Sequence, residues 1–120
     1  MDIERWVVAY VDAWRSPGTD ALAELFTPDA TYIQGPYRAP VTRPAAIARM
    51  WDEERPEGER FDIIHEVVAS EGATSVVRVQ VDYRAPHEQQ WRDPWIVVLD
   101  SDGLCTQFEE WPFAPPDGSP

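Results

Sequence analysis

AYVDAWRSPGTDALAELFTPDATY, residues 9–32, is the stretch that decides the fold. It reads as the end of one helix, a break, a second short helix and the entry into a strand. Upstream, Ile3, Trp6, Val7, Tyr10, Val11 and Trp14 fall at the spacing of one helix face. Half of that stripe is large and aromatic, and Tyr10 brings a polar tip to it. This is the opening expected of a cone-shaped α+β domain, in which helices close over a curved sheet and leave a pocket.

Working outward, the first helix is expected from about Asp2 to Arg15, and Ser16-Pro17-Gly18 breaks it. Thr19 or Asp20 can cap a second helix over Ala21 to Phe26, with Glu24 favourably placed near its start. Thr27-Pro28-Asp29 reads as a turn and Ala30 to Ile33 as a short strand. A loop rich in Pro and Gly follows, and Thr42 caps a third helix that has Pro44 in its first turn and Ile47, Met50 and Trp51 on its apolar face. The charged run Asp52 to Arg60 holds Pro56 and Gly58 and reads as a solvated loop.

Four strand signals complete the pattern: Phe61 to Ala69, Thr74 to Arg84, Trp91 to Leu99 and Leu104 to Trp111. In the second, Val77, Val79, Val81 and Tyr83 alternate with Arg78, Gln80, Asp82 and Arg84, which buries one face and wets the other. Three helices before a mostly antiparallel sheet is an α+β arrangement. It is expected to form a single domain over residues 1–113, with a loose tail over 114–120 rich in Pro, Gly and Ser.

Composition narrows the function. The net charge is −12, and all ten basic residues are arginine. A phosphate backbone would be repelled, so nucleic acid is not an expected partner. Without lysine there is neither Schiff-base chemistry nor a P-loop. The single cysteine, Cys105, can form no intrachain disulfide and reads as a small packed hydrophobe. No apolar run is long enough to span a membrane, and MDIERWVVAY lacks the features of a signal peptide, so a cytoplasmic location is the default expectation. No His, Asp or Glu cluster has metal-ligand spacing, and no metal or cofactor is expected.

The chain resembles the nuclear transport factor 2-like superfamily, nearest its SnoaL-like and ketosteroid-isomerase-like branch. The likeness is carried by Tyr10-Val11, Leu25-Phe26, Pro28-Asp29-Ala30-Thr31, Pro44-Ala45-Ala46-Ile47 and Asp102-Gly103 with Phe108-Glu109-Glu110-Trp111. The resemblance implies the cone fold. It does not fix a reaction, because this fold hosts isomerases, cyclases, dehydratases, hydrolases and proteins without activity. The isomerases place an oxyanion-donating tyrosine where Tyr10 stands, but Gln34 falls where their proton-moving aspartate belongs, and Trp95 where they keep a protonated aspartic acid. A ketosteroid isomerase in the strict sense is therefore not expected.

Other residues can carry acid–base chemistry. Alternation puts Trp91, Asp93 and Trp95 on one face, which by resemblance lines the pocket, and a carboxyl between two indoles is desolvated. Glu109 and Glu110 face opposite sides, and registration with the family turns Glu110 inward beside Phe108. His65 sits between Ile63 and Val67 on an apolar face, where an inward imidazole could shuttle protons. Trp14, Tyr32, Gln34, Trp51, Trp91, Trp95 and Phe108 are the expected ligand-facing residues. The expected ligand is a small apolar, cyclic or polyketide-like molecule, with Tyr10 donating to its oxygen and Asp93, Glu110 or His65 moving a proton. The rival expectation is a non-catalytic binding domain, or a homodimer paired through the outer sheet face.

Overall fold

The computed structural model describes residues 2–116; residue 1 and residues 117–120, most of the expected tail, lie outside the described part. Helix α1 spans Ile3–Arg15. Asp2 caps it, its carboxylate accepting from the Glu4 and Arg5 amides at 3.0 and 3.3 Å. The buried stripe is Trp6, Val7, Tyr10 and Ala13, and the Trp6 indole N–H donates to the Leu25 carbonyl at 3.0 Å. That bond fixes the helix against the short α2, Leu22–Leu25.

Strand β1, Phe26–Ile33, starts at once, so the expected Thr27-Pro28-Asp29 turn is corrected to strand. Two things make this possible. Phe26 is fully buried, pulling the chain into the sheet. The ladder is irregular between Phe26 and Thr31, and such a bulge tolerates a proline that has no N–H to donate. Strand β2 is the pair Val41–Thr42, hydrogen-bonded to β1. Thr42 is thus a strand residue opposite Thr31, not a helix cap. The N-cap of α3, Pro44–Glu54, is Arg43, which has φ 78° and makes no side-chain cap bond. Its N–H instead donates to Ala30 at 2.8 Å.

Strands β3 (Arg60–Glu71), β4 (Thr74–Ala85), β5 (Gln89–Leu99) and β6 (Cys105–Glu110) follow as antiparallel neighbours. The sheet order is β2-β1-β6-β5-β4-β3, and β1 runs parallel to β6. The fold is α+β, a curved mixed sheet left unclosed, with the helices on its concave side. Register shifts in β3–β4 and β5–β6 help bend the strands. Val77, Val79 and Val97 are fully buried on the concave face, each worth about 1.5–3 kcal/mol of burial. The alternation in β4 is thus the inside–outside code of the sheet.

The charged run after α3 is not simply solvated. Arg55 turns back to the C-terminal end of α1. Its guanidinium donates to the carbonyls of Ala13 and Trp14 at 3.3 Å each, Ser16 at 2.9 Å and Gly18 at 2.7 Å. A cation on the unsatisfied carbonyls at a helix end is favourable on both hydrogen-bonding and dipole grounds. The same guanidinium lies 5.1 Å from the Trp51 ring and 5.7 Å from the Trp14 ring. Arg55 therefore locks α1 to α3.

Candidate functional site

Between α1, the end of α3 and the concave sheet lies a cavity of about 460 Å³. Helix α1 supplies Tyr10 and Trp14; Tyr32 and Gln34 come from the end of β1 and just beyond it. Strand β5 supplies Trp91, Asp93 and Trp95, and β6 supplies Glu110. These eight expected residues share one cavity. Glu54, Glu59 and Tyr83 line it too and were not expected as site residues. The sequence signal was present for Tyr83, which continues the inward alternation of β4. It was absent for the two glutamates, which are hidden in a charge run.

The other expectations need correction. His65 does face the helices, but α1 begins over that part of β3. Its Nε2 meets the Glu4 carboxylate at 2.9 Å, and it does not line the cavity. Trp51 and Phe108 are buried behind the wall rather than in it. Phe108 stacks on Tyr10, with centroids 5.1 Å apart, and lies 4.7 Å from Tyr32. Trp51 meets Tyr10 and Trp14 edge-on at 5.4 and 4.8 Å. They hold the tyrosine rings in place.

Tyr10 is further fixed by Trp6, stacked at 5.1 Å, and by Trp95, edge-on at 5.2 Å. Its hydroxyl shares a 2.6 Å hydrogen bond with that of Tyr32. Burial, and next the negative potential of Glu110, push both phenols well above their ordinary range. Both stay protonated, so the pair always has a proton to donate.

The carboxyl groups are set by β-sheet register. Trp95 lies opposite Glu110 across β5–β6, and Asp93 is one pleat period from Trp95 on the same face. Diagonal neighbours of this kind have Cβ atoms roughly 7–8 Å apart. Burial raises Asp93 to about 6, the Trp95 indole opposing the shift. Yet Asp93 Oδ1 and Trp95 Nε1 are both buried without a hydrogen-bond partner of ordinary geometry among the described residues. Glu110 is pushed up to about 8, by desolvation first and then by the charges of Asp93 and Glu54. Gln34, in contrast, is occupied: its amide donates to both Glu54 carboxylate oxygens at 2.8 and 3.0 Å. It can position Glu54 but cannot take up a proton.

Among the described residues no group of three His, Cys, Asp or Glu side chains is gathered as a metal site, and no helix is long and apolar enough to cross a membrane.

A cone of sheet and helices around an inward-facing set of acids, tyrosines and indoles places the protein in the nuclear transport factor 2-like class. Within it the chain belongs to the SnoaL-like domain family, which matches residues 7–108. Solved structures of the same fold include a candidate ketosteroid isomerase from Kribbella flavida (16% identity, 97% of this chain and 81% of that one, TM-score 0.71). Another is an LEH-like epoxide hydrolase from M. tuberculosis (16% identity, 91% and 80% covered, TM-score 0.72). A third is a protein of ketosteroid isomerase-like fold from Catenulispora acidiphila, in complex with trimethylamine (16% identity, 88% and 83% covered, TM-score 0.69). At these identities the likeness speaks for the fold alone. No curated protein matches the sequence.

Proposed function

We propose that this SnoaL-like domain binds a small cyclic molecule and catalyses proton transfer beside one of its oxygens, as an isomerase or cyclase does. The observation that carries the reading is the placement of Glu110 in one cavity with the Tyr10–Tyr32 hydroxyl pair. A carboxyl raised to about 8 is a strong base when ionised and still reachable at neutral pH. The hydroxyl pair donates to the oxygen on which negative charge develops as a carbon-bound proton leaves. Glu110 takes that proton and returns it at a second carbon. This division of labour differs from the one implied by the isomerase resemblance: the base stands on the last strand, and Gln34 falls where the resemblance puts the base. The indoles of Trp14 and Trp95 supply flat apolar wall for a ring. A fold neighbour holding trimethylamine and another acting as an epoxide hydrolase support a small-molecule role for such a cavity.

The test is hydrogen–deuterium exchange of a cyclic ketone such as β-tetralone in deuterium oxide, followed by NMR. The protein should accelerate loss of the α-proton signal, and Glu110→Gln should cut that acceleration by roughly 10²–10⁴-fold. Equal rates for the two proteins would remove Glu110 from the chemistry.

A further inference from the structure

One group in the cavity has no part in that scheme. Asp93 is 8% exposed, lines the cavity, and makes no hydrogen bond of ordinary geometry through Oδ1 among the described residues, although the Trp95 indole N–H lies near enough to oppose the rise in its pKa. A buried acceptor of this kind is costly unless something donates to it. The residues on either side of it on the same face are Trp91 and Trp95. An indole face is the best aromatic partner for a cation.

The charges around it have one sign. Glu110 of β6 and Glu54 of α3 line the same cavity, as does Glu59 ahead of β3. The cavity's phenols, Tyr10 of α1, Tyr32 of β1 and Tyr83 of β4, are all held neutral by burial above all. Arg38 and His87, also on the wall, belong to exposed loop positions, and Arg38 Nη2 donates to the Gln34 side-chain Oε1 at 3.5 Å. No arginine forms a salt bridge with Asp93 or Glu110 among the described residues. A neutral or anionic ligand would leave this arrangement uncompensated.

We propose that Trp91, Asp93 and Trp95 form a subsite for a protonated amine, so that the cavity's ligand is an ammonium-bearing molecule with an apolar ring. The proposal rests on the reading of this cavity as the binding site and deepens it by naming the ligand class. Asp93 accepts an N–H of the ammonium, and the two indoles flank its remaining surface. Glu110 and the tyrosine pair stay free for the ring and its oxygen. Because the ammonium favours ionised carboxyls, its binding should tighten as pH rises from about 6 to about 8 and should release protons.

The experiment compares phenethylammonium with phenylethanol, which share a ring and chain but differ in charge, by calorimetric titration of the full chain near pH 8. The ammonium should bind about tenfold tighter or better. Asp93→Asn should abolish the preference and Trp91→Leu should reduce it. Trp91 is only partly buried, so that variant and the wild-type ratio decide the matter if Asp93→Asn does not fold. Equal or tighter binding of the alcohol overturns the cation subsite and leaves the proton-transfer reading standing. Binding of neither probe overturns both.

Discussion

On the outer face of the sheet, acids and arginines meet across neighbouring strands. Glu66 pairs with Arg78 at 2.6 Å, Asp62 with Arg84 at 3.0 Å and Asp82 with Arg92 at 3.1 Å. On the inner face Asp93 is buried and Glu110 half-buried, and among the described residues neither pairs with an arginine. The outer pairs satisfy local electrostatics in high dielectric and contribute little. The inner acids are pushed up by burial, and among the described residues no cation offsets that cost. Such a contrast separates charges paired across an exposed surface from buried acids of the kind that gather at functional sites.

The contrast can be broken most decisively through catalysis. If Glu110 is the base, exchange of β-tetralone should rise roughly a hundredfold between about pH 6 and 9 and then level, because the active form is the carboxylate. A flat profile would make the inner acid as inert as the outer ones.

Stability gives the next largest effect. In the folded chain Glu110 is raised from 4.5 to about 8. Between those values the native state binds more protons at Glu110 than the unfolded one, so this group's penalty is absent at low pH and grows as pH rises through that window. Glu110→Gln removes the penalty. It should stabilise by roughly 2–4 kcal/mol above pH 8 and by almost nothing near pH 4, as urea unfolding at the two pH values would show.

Arg55 sharpens the comparison from a third side, since it is a charge whose hydrogen bonds the fold does use. Arg55→Ala should destabilise by about 1–3 kcal/mol and lower the thermal midpoint, through the loss of four carbonyl partners and its stacking. The smallest effect belongs to the outer face. A double-mutant cycle on Asp62 and Arg84 should return a coupling below about 1 kcal/mol that shrinks further in salt. A larger value would erase the distinction between the faces.

Legibility in the sequence followed periodicity. The helical stripe of α1 turned Tyr10 inward, and alternation put Asp93 and Trp95 on one face of β5, which the family resemblance assigned to the pocket. Glu110 needed the family registration as well, because two adjacent glutamates leave the facing one open. Depth within the wall was not legible. Phe108 and Trp51 obey the same alternation and helix spacing as the cavity residues, yet ring-on-ring packing places them one layer behind. His65 obeys it too, but which helix turn lies over it is a tertiary fact. The bulge that carries Pro28 into β1 and the return of Arg55 to α1 depend on long-range partners, which local propensity does not record.

The parallel pairing of β1 with β6 also bears on when the site comes into being. Phe26 lies beside Cys105 and Tyr32 beside Phe108, so the first long strand must wait for the last one, a closure of high sequence separation that folds slowly. The hairpins of β3, β4 and β5 can form locally before it. The Tyr10–Tyr32 hydroxyls and Glu110 come together only when β6 docks. A ligand that touches both works as a clasp on the finished sheet: it binds no partly folded chain and slows reopening of the β1–β6 seam. Amide exchange along that seam should slow on ligand addition more than exchange in the β3–β4 hairpin.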